Sequence, residues 1–391
     1  MGAPVYGVVM ALGRARRSTA AACAWVAGAG LLAGCGTVRD FFGNPPVFES
    51  GVEPVPLDLA APAYTAAVPG GLLVRHGDDS VVLPRAGSAT WLPGGRVLTS
   101  TRGVLQVADP ATGLEGPRVR TFAGPSTSVT RVDLLRRPDS EHLSSYALDL
   151  TPLARVDLPE TDNPDATRGN ELSRGYHGAV ATVGRATFVQ WHDGSEYYED
   201  GDHGVLRIEG DDLDNVLVNA GIVSLWPAVD GSALLAVRQV DGQPCGGCVV
   251  PQEIVELDPA TGEVVGEYGI PDGYVDDWRV AAIDKVGDRV AVRFHEPRSL
   301  RSGYPRQRVL GTWVYDGSWE LVEGSDEVVT WWQGTDDRIE ARLVDEPARR
   351  DGYQLVWVRE DDEIELPGEL IWSRGRATAY GSVAGRLLPP D

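Results

Sequence analysis

Two groups of residues in this chain have side chains suited to chemistry. The first is Gln243-Pro244-Cys245-Gly246-Gly247-Cys248, in which two thiols stand three apart with glycines between them. Glycines let the backbone turn tightly enough for Cys245 and Cys248 to close a small disulfide, stapling a hairpin tip between strand-like runs Leu234–Val240 and Val249–Leu257. A redox role needs a helix N-terminus to lower the thiol pKa, and no βαβ pattern surrounds the pair. Haem attachment needs a histidine next, where Val249 stands, and zinc needs two more ligands that no second cysteine pair supplies.

The second group runs from Tyr176 to Asp214. It holds His177, His192 and His203, half of the six histidines, with Asp193, Glu196, Glu199, Asp200 and Asp202 close by. Imidazole with carboxylate suits a divalent transition metal, and carboxylates alone suit calcium. The spacing fits neither an established transition-metal motif nor a calcium loop, so a solvated acidic loop is the plainer reading, with His177, His192, His203, Asp193 and Asp202 as weak metal candidates. Other catalytic signatures are absent: there is no Gly-x-Ser-x-Gly elbow, and His295-Glu296 lacks a second histidine four residues after the first. Paired carboxylates of a glycosidase are defined by separation in space, which sequence does not supply. Trp331-Trp332 suits either sugar stacking or core packing, and the repeat period below favours packing.

The N-terminus carries a third kind of chemistry. Arg14, Arg16 and Arg17 precede an apolar run from Thr19 to Leu32, which ends in Leu32-Ala33-Gly34-Cys35. A basic segment, an apolar segment and small residues before a cleavage point form the tripartite secretory pattern. The run of 14 residues is short of the about 20 needed to cross a bilayer. Leu32–Cys35 resembles the lipobox of bacterial lipoproteins. That resemblance implies that the Cys35 thiol receives a diacylglyceryl group, that residues 1–34 are removed as a signal peptide, and that the new amine is acylated, with palmitate for example. Two or more acyl chains anchor stably where one does not. The expected location is therefore the outer face of the cell membrane, lipid-anchored without crossing it. The hydrophobic positions expected after the twin arginine are missing, which favours the general secretory route, and Met10 offers a start that gives a signal of ordinary proportions.

The formal charge of −22 argues against nucleic acid and anionic lipid as partners and would attract cations or basic surfaces. Lys285 is the single lysine beside abundant arginine, which reads as the GC-rich codon usage of a bacterium such as an actinobacterium, and not as function.

What must position any site is a β scaffold. Residues 35–63 are proline-rich without a sustained period and read as a tether. From residue 64 to 391, short runs rich in Val, Leu, Ile, Trp and Tyr alternate with Gly, Asp, Pro and Asn. A hairpin anchor recurs seven times, at Trp91–Leu98, Arg137–Ser140, Val183–Arg185, Val229–Ser232, Val286–Arg289, Gln333–Asp336 and Arg374–Arg376. Trp226, Trp278, Trp331 and Trp372 precede four of them. This spacing predicts an all-β propeller of about seven four-stranded blades, with six or eight as neighbouring counts and a β-sandwich array as the structural alternative. The termini are expected to complete one blade between them, with about two strands from each end.

Asp109-Pro110-Ala111-Thr112-Gly113 and Asp258-Pro259-Ala260-Thr261-Gly262 are identical, about three blades apart, and suit tight outer hairpins. Here the chain resembles propeller repeats of the quinoprotein and TolB-like kinds, whose outer turns carry Asp-x-x-Thr-Gly. No tryptophan follows either pentapeptide, and Val264-Val265-Gly266 occupies that place in the second, so the resemblance implies the fold without a quinone. No cofactor is otherwise indicated. The resulting expectation is a monomeric, membrane-anchored binding or scaffolding propeller whose partner is an envelope protein or small ligand. The alternative is a propeller enzyme, metal-dependent and lactonase-like or carbohydrate-active, with its site in the central channel. Solute capture for a transporter would need a two-lobed pattern that is absent.

Overall fold

The computed structural model describes residues 61–84, 86–101, 103–120, 125–128, 130–136, 142–159, 176–192, 203–210, 212–217, 221–229, 231–239, 252–271, 279–295, 309–334, 336–343, 352–371 and 381–389. These residues form strands and turns with no helix. The strands, in chain order, are β1 (Ala63–Val68), β2 (Gly71–His76), β3 (Asp79–Leu83), β4 (Ser88–Trp91), β5 (Val97–Thr101), β6 (Val104–Asp109), β7 (Gly113–Arg120), β8 (Pro125–Thr127), β9 (Arg131–Arg136), β10 (His142–Ala147), β11 (Pro152–Asp157), β12 (Tyr176–Val183), β13 (Ala186–His192) and β14 (His203–Glu209). They continue with β15 (Asp212–Val216), β16 (Ile222–Pro227), β17 (Leu234–Gln239), β18 (Gln252–Leu257), β19 (Val264–Gly269), β20 (Arg279–Val286), β21 (Arg289–His295), β22 (Val309–Tyr315), β23 (Trp319–Leu321), β24 (Val328–Trp332), β25 (Asp337–Leu343), β26 (Gly352–Arg359), β27 (Asp362–Ile371) and β28 (Ser382–Val383).

Consecutive strands pair antiparallel into five four-stranded sheets, β4–β7, β8–β11, β12–β15, β16–β19 and β20–β23, which are blades 1 to 5. The remaining eight strands form one sheet, in which β24–β27 make blade 6 and β28 joins β1–β3 as blade 7. Blades 6 and 7 are linked at a single pair, Ala67 opposite Glu369. First strands of successive blades lie against one another, β8 on β12, β12 on β16 and β16 on β20, so they line the axis of a ring. The described residues form a β-propeller of seven four-stranded blades.

The seventh blade corrects the expected sharing of strands between the termini. Three strands come from the N-terminal side and one short strand from the C-terminal side, with Tyr64 opposite Val383 and Thr65 opposite Ser382. The closure is therefore three plus one instead of two plus two.

Each blade is covered on both faces by its neighbours, so its middle strands are apolar continuously instead of alternately. Leu234, Leu235, Ala236 and Val237 of β17 are buried in a row. Apolar clusters fill the spaces between blades. Phe188 and Val205 meet Ile222 and Leu234 between blades 3 and 4, and Trp331, Tyr353 and Leu355 meet Tyr64 and Leu73 between blades 6 and 7. Of the four tryptophans that precede hairpin anchors, Trp226 and Trp331 are buried on first strands, as is Trp91, while Trp278 and Trp372 lie outside the described residues; Trp331 is a core residue. Each fourth strand, by contrast, carries one exposed large apolar residue: Val82, Leu114, Leu153, Leu213, Val265, Leu321 or Ile364. Spread one per blade around the rim, they form no contiguous patch.

The two ends of the ring differ in their connections. First-to-second and third-to-fourth turns span six residues or fewer, as in Ala228–Ala233 and Asp258–Glu263. Every connection longer than six residues joins strands at the opposite end. The two Asp-Pro-Ala-Thr-Gly segments are the third-to-fourth turns of blades 1 and 4, closed by Asp109 Oδ1 and Asp258 Oδ1, each accepting the amide two residues on at 2.7 Å.

Candidate functional site

The groups on the first strands that line the axis and the charges buried among the blades make up the candidate site. At the short-turn end a C-terminal segment of the chain lies against the inner strands of the ring. Residues 381–388 are all buried and run from blade to blade along the first strands. Ser382 N donates to Thr65 Oγ1 at 2.8 Å and Ala384 N to Ala63 O at 2.9 Å, which fixes the segment to blade 7. Arg386 N donates to Trp332 O at 2.8 Å and Trp332 N to Arg386 O at 2.7 Å, on blade 6. The Arg386 guanidinium reaches blade 5, with Nη2 on Lys285 O at 2.6 Å and Nε 3.4 Å from Asp284 Oδ2. Leu387 and Leu388 then pack with Val229, Ala282, Val286 and Ala291 of blades 4 and 5. We call residues 381–388 the strap.

Asp284 is fully buried, and desolvation pushes its carboxyl above the usual range against the pull of Arg386 and the amides of Leu387 and Lys285. Asp133 is equally buried and better satisfied. It accepts from Arg131 Nε at 2.9 Å, Thr182 Oγ1 at 2.7 Å, Thr187 Oγ1 at 2.8 Å and Ser145 Oγ at 2.5 Å, joining blades 2 and 3. Arg207 donates to Pro259 O at 3.0 Å and pairs with Glu209, joining blades 3 and 4. Glu340 holds Arg338 and Arg342 at 2.8 and 2.7 Å on blade 6. Asp133 and Arg207 thus join neighbouring blades and Asp284 joins blade 5 to the strap, while Glu340 ties together residues of its own strand.

Arg293 stands apart. It is 1% exposed. Its guanidinium lies over the Trp331 ring, with Nη2 donating to Thr330 O at 2.5 Å and Nε to Thr312 Oγ1 at 3.3 Å, while the buried Nη1 has no partner among the described residues. Desolvation lowers its pKa to about 9, so the group is still a cation at neutral pH. None of these charged residues was singled out from sequence. The available signal was a charge inside an otherwise apolar run, as in Val290-Ala291-Val292-Arg293-Phe294 or Ala281-Ala282-Ile283-Asp284.

Of the expected site residues, the three histidines fall at the long-connection end. His177 lies on β12, and His192 and His203 are the end residues of β13 and β14. The backbone register sets His192 opposite His203 and His177 opposite Trp191, one position away. Asp193 and Asp202 lie outside the described residues. So do Cys35, Cys245 and Cys248, the last two in the connection between β17 and β18. Among the described residues no group of three or more His, Cys, Asp or Glu is placed to hold a metal ion. Among those residues, too, no helix is long and apolar enough to cross a membrane.

No protein-family model matches this sequence, and no curated protein is similar to it. Among solved structures, the β-propeller domain of the Trilobed protease from Pyrococcus furiosus is similar with a TM-score of 0.47 at 12% identity, over 78% of this chain and 96% of that one. Uncomplexed acylaminoacyl peptidase from Pyrococcus horikoshii has a TM-score of 0.45 at 14% identity, over 75% of this chain and 47% of its own, so this chain spans about half of that peptidase. Hsv2 from Kluyveromyces lactis has a TM-score of 0.40 at 12% identity, over 80% of this chain and 97% of that one.

Proposed function

We propose that this propeller is a membrane-anchored extracytoplasmic lipoprotein, held by lipid on Cys35, that binds an envelope protein or small ligand at its long-connection end. The observation that carries the choice of end is the buried strap, which occupies the first strands at the short-turn end. The absence of a recognised catalytic motif from the sequence, together with the use of the buried charges in holding blades, favours binding over catalysis. The enzyme reading is kept by one specific observation, the backbone register that sets His192 opposite His203 at the long-connection end.

The test is crosslinking and affinity recovery of tagged protein from native membranes beside Cys35→Ala, with metal analysis of the purified soluble domain. Binding by an anchored scaffold predicts partners that are recovered with the parent and lost with the released variant, and less than one metal per chain. A stoichiometric, tightly held metal with no recovered partner would transfer the assignment to the enzyme.

A further inference from the structure

Six of the seven spaces between adjacent blades are spanned by apolar clusters of described residues, and the space between blades 5 and 6 is not. The cluster containing Trp331 and Ile339 joins blade 6 to blade 7, and those containing Phe294 and Ala291 join blade 5 to blade 4 or to the strap. Two buried arginines cross the remaining seam. Arg293 passes from β21 to Thr330 O and the Trp331 ring of β24. Arg386 clips the Trp332 backbone of β24 to Asp284 and Lys285 of β20.

The chemistry of this seam differs from that of its neighbours. Apolar burial is non-directional and tolerates small displacements, whereas a desolvated guanidinium repays its lost hydration only through complete hydrogen bonding. Arg293 Nη1 is buried without a partner among the described residues. A buried donor left unsatisfied costs about 1–3 kcal/mol, and more when it is charged. Solvation of that cation is therefore a gain available only on opening. The strap works against the opening, since its β28 end belongs to blade 7, its Leu387 and Leu388 end to blades 4 and 5, and Arg386 lies across the seam between them.

We propose that the ring opens at the seam between blades 5 and 6, and that the strap is the clasp holding it shut. Opening there converts the ring to an arc and gives the channel a lateral entrance, independent of which end a ligand uses.

Native-state hydrogen exchange on the whole chain, read by peptide mass spectrometry, tests this. The strands to compare are β21 and β25, each paired on both sides, with β9 and β13 as equivalent strands of blades 2 and 3. Partial opening predicts exchange about tenfold or more faster in β21 and β25 than in β9 and β13, because open states of lower free energy dominate exchange. Arg386→Ala is expected to widen that ratio about tenfold further, leaving β9 and β13 within about twofold of the parent. Equal protection of all four strands in the parent, or acceleration of all four together in the variant, overturns the proposal. If Arg386→Ala does not fold, the parent comparison decides by itself. Leu388→Ala then provides the graded variant, since it thins the strap's grip on blades 4 and 5 without touching the ion pair.

Discussion

The guanidinium carbon of Arg293 stands 4.8 Å from the centroid of the Trp331 ring, so a cation from the second strand of blade 5 caps an aromatic on the first strand of blade 6. The stack compensates part of the burial of the charge, because the face of an indole is electron-rich and here dry. Replacing Arg293 by alanine leaves a cavity against Trp331 and an unpaired Thr330 carbonyl, and should cost about 3 kcal/mol or more. Methionine fills most of that volume without the charge and should recover about 2 kcal/mol of the loss. Urea unfolding of both variants measures the difference, and equal losses would show that the cation itself stabilises the seam.

Asp133 has the opposite status, a buried charge with every neighbour aimed at it. Asp133→Ala strands Thr182, Thr187, Ser145 and Arg131 around a void and should cost about 3–5 kcal/mol, whereas Asp133→Asn, which keeps an acceptor, should cost less. Exchange protection of β9 and β13 should fall in step with the loss. A variant that unfolds at the denaturant concentration of the parent would remove Asp133 from the account of how blades 2 and 3 are joined.

Tyr268 gives a pH dependence of known sign. Burial first, and then the Glu256 carboxylate that accepts its hydroxyl hydrogen, hold the phenol above the ordinary tyrosine range. Glu256 is itself held by Lys285 Nζ at 2.6 Å. A folded-state pKa above the unfolded value of about 10 gives stability that is complete below that pH and is lost as pH climbs toward the folded value. Melting temperatures of the parent should therefore fall more steeply above about pH 10 than those of Tyr268→Phe. Parallel curves for the two proteins would contradict the assignment.

Gly381 is required by contact and not by torsion. A Cβ there would lie 2.4 Å from Thr65 O, a backbone atom of β1 with no room to retreat. Gly381→Ala should cost about 1–3 kcal/mol through overpacking. Gly334 has nothing within 4 Å of its would-be Cβ, so Gly334→Ala should lie within about 0.5 kcal/mol of the parent. The pair, compared by thermal unfolding, separates docking of the strap from a general intolerance of alanine.

Local chemistry was readable from the sequence, and pairing at a distance was not. The two Asp-Pro-Ala-Thr-Gly turns announced themselves because an Asx hydrogen bond lies within three residues of chain, and both occupy the outer-turn position expected of them. Five of the seven hairpin anchors are first-to-second turns, from Trp91–Leu98 to Gln333–Asp336. Arg137–Ser140 instead falls between the second and third strands of blade 2, and Arg374–Arg376 between blades 6 and 7. The first turn of blade 2 escaped because it contains neither glycine nor aspartate. Ser128 makes it, accepting at Oγ from the amides of Thr130 and Arg131 at 3.3 and 3.2 Å. The anchors reached the right number of blades although two of them mark other connections. The three-plus-one closure was hidden for a different reason, since β28 is two residues long and no periodicity can be read from two residues. The expected residues at Cys35, Cys245, Cys248, Asp193 and Asp202 lie outside the described residues, and the buried charges that knit the blades were visible only as interruptions in apolar runs.

The position of β28 also sets the order in which the molecule can mature. A ribosome makes β1, β2 and β3 first, yet the strand that completes their blade is Ser382-Val383, about three hundred residues later. Throughout synthesis, and throughout any passage across a membrane, the β1 backbone waits with hydrogen-bonding groups that only those late residues satisfy, an unpaired edge of the sort that recruits foreign strands. A product truncated before residue 382 would keep that edge exposed, marking it for aggregation or proteolysis, while arrival of the late strand certifies the ring as finished.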